Sequence, residues 1–110
     1  MFLGEGISKC VTLSSLNINL RCNKIGDNGV KYFGEGVAKC ATLTSLNLDL
    51  YENNIGDDGA KYLVEGIVKC VTLISLNLDL GGNIIGKKGK RIIKNLVIKA
   101  KRLISNYIMF

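Results

Sequence analysis

The stretch Thr42-Leu43-Thr44-Ser45-Leu46-Asn47-Leu48-Asp49-Leu50-Tyr51-Glu52-Asn53-Asn54-Ile55-Gly56-Asp57-Asp58-Gly59 decides the fold. Nearly the same string runs thirty residues earlier, from Thr12 to Gly29, and thirty residues later, from Thr72 to Gly89. A fixed period of this size marks a solenoid, in which each unit buries its apolar face only against its neighbours.

Each unit has two halves with different periods. Apolar and polar residues alternate in Leu46-Asn47-Leu48-Asp49-Leu50, as they do in Leu16–Leu20 and Leu76–Leu80. Alternation of this kind predicts a half-buried strand. A turn rich in Asn, Gly and Asp follows. Then Val30, Phe33 and Val37, like Ala60, Leu63 and Ile67, recur at helical spacing. Asp27 and Asp57 stand at the helix starts, where they are expected to cap free N–H groups and to face the positive end of the helix dipole.

Strand and helix alternating without a break predict a parallel sheet. Strands lie ~4.8 Å apart while helices need roughly 8–10 Å, so the stack must curve with the strands inside. The expected organisation is a single domain over residues 1–110. It holds a partial repeat at 1–11, full repeats at 12–41, 42–71 and 72–101, and a partial repeat at 102–110.

The unit Leu43-x-x-Leu46-x-Leu48…Asn53-x-Ile55-Gly56-x-x-Gly59 resembles a leucine-rich repeat. Its Ile-Gly-Asp-x-Gly helix opening is similar to the ribonuclease-inhibitor-like subclass in particular. The resemblance implies an α/β solenoid, a curved right-handed stack with the sheet concave and the helices convex. It implies that Asn23, Asn53 and Asn83 form a buried ladder bonding neighbouring turns, and that the function is to bind proteins. One departure is an extra pair, Asp49-Leu50, before the Asn. Two residues preserve strand phase, so each strand is expected to be one dyad longer, adding Leu20, Leu50 and Leu80 to the inward row.

Composition narrows the chemistry. The chain has 110 residues, 47% of them hydrophobic, with no Pro and no His. Without His, a Ser-His-Asp or Cys-His arrangement cannot be built from this chain. Cys10, Cys40 and Cys70 recur at one repeat position, which reads as a packing column and not as a metal or redox motif. Cys22 stands apart in the turn, with nothing nearby to lower its pKa. Free thiols point to a reducing, cytoplasmic setting. No segment reaches the ~20 apolar residues of a membrane span. No cofactor or metal is expected, and the repeats carry no long loop or pocket-forming insertion to house catalysis, so the expectation is a protein that is not an enzyme.

With the leucines inward, the outward columns are Ser15/Ser45/Ser75, Asn17/Asn47/Asn77, Asn19/Asp49/Asp79 and Arg21/Tyr51/Gly81. Asn17, Asn19, Arg21, Asn47, Asp49, Tyr51, Asn77 and Asp79 are the candidate partner-binding residues of the concave face. Asp49 and Asp79 should repel on adjacent strands. In this pattern Asn47, Asp49 and Tyr51 have no evident structural duty.

Charge is divided along the chain. Residues 1–79 carry seven basic and nine acidic residues, a net charge of −2; from Leu80 onward there are eight basic and none acidic. Lys87-Lys88 replace Asp57-Asp58 at the third helix, so its cap should be lost. Lys87, Lys88, Arg91 and Lys94 are candidate contacts to an anionic surface, nucleic acid or lipid; the plainer reading is a solvated face. Tyr107 and Phe110 lie beyond the cluster, and Asn106, at an inward position, weakens a fourth strand. Phe2, Leu3 and Ile7 would form an apolar edge at the start. That edge fits a piece of a longer array better than a short chain that self-associates end to end.

Three uses remain. The first is a protein-interaction scaffold using its concave face, and the second is the anionic-surface binder. The third is a regulatory piece of a larger protein such as a GTPase activator.

Overall fold

A computed structural model describes residues 13–103 and 105–110. Strand and helix alternate throughout: β1 (Ser15–Asn19), α1 (Gly26–Ala38), β2 (Ser45–Asp49), α2 (Asp57–Lys69), β3 (Ser75–Asp79), α3 (Lys87–Lys99) and β4 (Ser105–Met109). The four strands form one parallel sheet in sequence order. Register keeps the thirty-residue period: Leu46 pairs Leu76, Asn47 pairs Asn77 and Asp49 pairs Asp79.

The alternation in sequence becomes alternation in burial. Leu46, Leu48 and Leu50 are buried while Asn47 between them is exposed. From the helices, Val30, Phe33 and Val37, and Ala60, Leu63 and Ile67, are buried in the same core. Each large aliphatic side chain there contributes roughly 1.5–3 kcal/mol of transfer free energy. Leu20 is only half-buried, whereas Leu50 and Leu80 are buried. The regular strands end at Asn19, Asp49 and Asp79, but backbone pairing runs on. Leu50 N–H donates to Asp79 O at 2.9 Å and Glu52 N–H to Gly81 O at 3.0 Å. The extra dyad is thus held by the ladder beyond the strand proper.

Side chains lace the turns together. Asn53, fully buried, accepts from the N–H groups of Asn23 (3.0 Å) and Ile25 (3.2 Å) and donates to Leu20 O (2.8 Å) and Tyr51 O (3.2 Å). Asn83 serves repeat two in the same way, accepting from Asn53 N–H (2.8 Å) and Ile55 N–H (3.0 Å). The ladder implied by the family resemblance is therefore present at Asn53 and Asn83. Asn23 makes the same bond within its own turn, donating to Arg21 O as Asn53 does to Tyr51 O and Asn83 to Gly81 O, and its side chain is exposed.

The two aspartates do something other than capping their own helices. Neither helix start shows a side-chain cap bond. Asp27 instead accepts the N–H of Gly56 at 2.7 Å, and Asp57 the N–H of Gly86 at 2.7 Å. Each carboxylate reaches the residue ahead of the next helix. A Cβ on Gly59 or Gly89 would collide with that carboxylate, which explains a glycine there. Helix α3 forms despite Lys87-Lys88, because the acceptor at its start comes from Asp57 in the preceding repeat.

Cys40 and Cys70 are buried free thiols, and Cys70 Sγ donates to Cys40 O at 3.3 Å. Cys10, Phe2, Leu3 and Ile7 lie outside the described residues. The fourth strand forms although Asn106 pairs with Leu76 at an inward position; Asn106 is exposed there.

Candidate functional site: the outer strand face

Four strands in register place the outward residues in rows. The central row runs Asn17, Asn47, Asn77, Tyr107. All four side chains are exposed. Among the described residues, none of the three asparagine amides is hydrogen-bonded to another protein group. Period-two facing puts them there. Tyr107 and Met109 extend the face onto β4, where they stand 57% and 43% exposed. In the sequence these two residues are obscured by Asn106, whose inward position weakens a fourth strand.

The next row, Asn19, Asp49, Asp79, is structural; Asn19 is exposed and the two aspartates are half-buried. Each side chain folds back on the residue two positions on. Asn19 Oδ1 accepts Arg21 N–H at 3.1 Å, Asp49 Oδ1 accepts Tyr51 N–H at 3.1 Å, and Asp79 Oδ1 accepts Gly81 N–H at 2.8 Å. This local turn chemistry is the duty that the repeat pattern did not reveal for Asp49.

At the rim, Arg21 NH1 donates to Asp49 Oδ2 at 3.1 Å, and its guanidinium lies 4.5 Å from the Tyr51 ring centroid. The ring rests against Gly81-Gly82, where added Cβ atoms would meet it at 3.1 and 3.3 Å. Gly82 also holds φ at +66°, a conformation its counterparts Cys22 and Glu52 adopt with side chains. The Asp49 hydrogen bond raises the pKa of Arg21, and Asp79 adds to the effect. The repulsion expected between Asp49 and Asp79 is thus offset by a cation seated beside them. Cys22 is exposed, with Sγ donating to Glu52 Oε2 at 3.5 Å. Loss of hydration pushes its thiol pKa up, and Glu52 adds to that.

The basic cluster is on α3. Lys87, Lys88, Arg91 and Lys94 are all exposed. Arg102, by contrast, is tied down, donating through Nε and NH2 to Cys70 O at 3.3 and 3.1 Å. Phe110 is brought back to the cluster, with Lys90 Nζ 5.7 Å from its ring centroid. In sequence the two are far apart, and only β4 joins them.

A family model described as "Leucine Rich repeat" matches residues 9–34 and 39–64. With the parallel sheet and its thirty-residue register, this settles the architecture. The fold is a leucine-rich-repeat solenoid. Among solved structures, one described as "Leiomodin-1 Actin-Binding Site 2 (ABS2)" is similar, with a TM-score of 0.73 at 19% identity. The match covers 97% of this chain and 60% of that one, so this chain spans less than two thirds of its neighbour's length. At that identity the likeness speaks for the fold alone. No curated protein matches the chain. No helix among the described residues is long and apolar enough to cross a membrane.

Proposed function

We propose that this leucine-rich-repeat solenoid is a non-enzymatic protein-interaction scaffold that receives a polar or basic segment of a partner along its outer strand face. The observation that carries it is the row Asn17, Asn47, Asn77, Tyr107, exposed on four registered strands, with the three amides bonded to no other group among the described residues. Amides can bond a partner's backbone, and tyrosine is enriched at binding hot spots. Asp79 and the Arg21–Asp49–Tyr51 group bound the row with charge. A solved structure of this fold whose description names an actin-binding site supports a protein partner in general.

Finer points belong to the same reading. Residues 1–110 work as one unit. The Ile55-Gly56-Asp57-x-Gly59 helix opening supports a ribonuclease-inhibitor-like repeat. Buried free thiols at Cys40 and Cys70 support a reducing, cytoplasmic setting. Regulation of a partner such as a GTPase would use the same face.

The test is partner capture on the immobilised chain, with bound proteins identified by mass spectrometry. Asn47→Arg with Tyr107→Ala removes face contacts without touching a turn, and should abolish capture. Asp49 is avoided because its loss would also damage a turn. Capture unchanged by the double variant would sink the proposal.

A second reading, contact with nucleic acid or lipid, is carried by one observation: Lys87, Lys90, Arg91 and Lys94 line a single hollow of about 420 Å³ on α3. Charge reversal of Lys87, Lys88, Arg91 and Lys94 to Glu should then end binding, and binding that persists removes it.

A further inference from the structure

Two neighbouring strands set four outward side chains in a square. On β3, Asn77 and Asp79 lie two residues apart and so share one face. On β4, Tyr107 pairs in register with Asn77, and Met109 with Asp79. Asn77, Tyr107 and Met109 are exposed and Asp79 is half-buried. Asp79 gives one carboxylate oxygen to Gly81 N–H at 2.8 Å. Among the described residues its other oxygen has no hydrogen-bond or ion-pair partner, and neither has the Asn77 amide.

One period earlier, the same carboxylate position is seen with its cation in place. Asp49 makes the same turn bond through Oδ1 and offers Oδ2 to the Arg21 guanidinium, which lies over the Tyr51 ring. Thirty residues after Arg21 the chain has Tyr51. Tyr51 rests against Gly81-Gly82 beside Asp79, and it brings a ring without a charge. Of the two carboxylates on the four described strands, Asp49 is matched by a cation and Asp79 is not.

We infer that Asp79, Asn77, Tyr107 and Met109 form a subsite for an arginine side chain of the partner protein. The inference deepens the outer-face reading and rests on it. The guanidinium donates to the free Asp79 oxygen and, through its other arm, to the Asn77 amide oxygen. Tyr107 and Met109 flank its plane, as Tyr51 does for Arg21. Arginine suits this set better than lysine, because its planar fork meets two acceptors at once and stacks on a ring.

Charge complementarity favours a separate partner over a second copy of this chain. Arg21 is held by Asp49, and Arg102 by Cys70 O. The exposed Arg91 of a second copy would arrive with Lys87, Lys88 and Lys94, four cations against one unmatched carboxylate. A metal ion would find one carboxylate and no second charged ligand.

The test is an NMR titration of the full chain with N-acetyl-arginine methylamide, read at the backbone amides of Asp79, Gly81 and Tyr107. Saturable shifts are expected there, with affinity about threefold or more above that of N-acetyl-lysine methylamide. Asp79→Asn should weaken binding about fivefold or more. That variant keeps the turn, because Asn19 makes the same bond with an amide oxygen. The inference is overturned if the shifts do not saturate or if they survive Asp79→Asn unchanged. It is overturned equally if the lysine compound or calcium chloride binds as tightly, or if sedimentation shows dimers that Asp79→Asn abolishes. Partner capture separates the two failures. A partner lost from the Asn47→Arg, Tyr107→Ala variant but kept by Asp79→Asn overturns the subsite alone, whereas a partner kept by both overturns the face reading and the subsite with it.

Discussion

The carboxylate of Asp57 receives the N–H of Gly86 at 2.7 Å, binding the first residue of one helix to the residue ahead of the next. Asp27 and Gly56 repeat the bond at the same length one period earlier. The helix starts are therefore held laterally, repeat to repeat.

Gly59→Ala should lower stability by about 1–3 kcal/mol, the usual cost of overpacking, because its Cβ would strike both the Asp27 carboxylate and its Cα. Asp27→Ala alone leaves the Gly56 N–H without its acceptor and should cost about 1–2 kcal/mol. In urea denaturation the double variant should lose less than the sum of the two, since removing the carboxylate relieves only part of the collision.

Asn53→Ala should be among the most damaging single changes, costing about 3 kcal/mol or more, because it removes a fully buried side chain that bonds four part-buried backbone groups in two turns. Asn23→Ala should stay within about 0.5 kcal/mol, as that side chain is exposed. Equal losses at the two sites, measured by thermal or urea unfolding, would contradict the ladder as described.

Arg21→Ala removes the ion pair with Asp49 and the stacking on Tyr51, yet stability should fall by no more than about 1 kcal/mol because the pair is solvent-exposed. That makes it a clean probe of the rim. If the outer strand face binds a partner, the variant should change partner affinity more than it changes the unfolding midpoint.

Cys22 should alkylate more slowly than an ordinary thiol near neutral pH, since its pKa is raised by lost hydration and by Glu52. Glu52→Gln should speed the reaction, followed by mass spectrometry of the Cys22 peptide. A raised pKa means that the folded chain holds the proton more tightly. The associated stabilisation is present below the unfolded thiol's pKa and lost as pH rises through the folded one.

Features written in local spacing were legible from the sequence. The alternation Leu46-x-Leu48-x-Leu50 and the helical spacing Ala60, Leu63, Ile67 each fix facing without reference to anything distant. Asp27 was misread because its partner lies 29 residues on, and a carboxylate at a helix start looks like a cap whatever it binds. Asp49 was a different omission. Its bond reaches only two residues along, so Asx-turn chemistry could have found it. The outward rows through Asn47 and Asn77 follow from strand phase, but Tyr107 joined them only once β4 paired despite Asn106. The approach of Phe110 to Lys90 is tertiary, and no spacing signalled it.

The Asp-to-Gly tie has a consequence for how such a chain could lengthen. A duplicated copy of residues 42–71, inserted after the original, would offer its Gly to the preceding Asp and its own Asp to the following Gly. It would slot in with both seams already written. A copy placed after α3 would find Lys87 where the carboxylate should be, and Lys90 and Lys94 where packing residues should be. The array can therefore be extended from its interior, whereas growth past α3 would require at least three residues to be rewritten first.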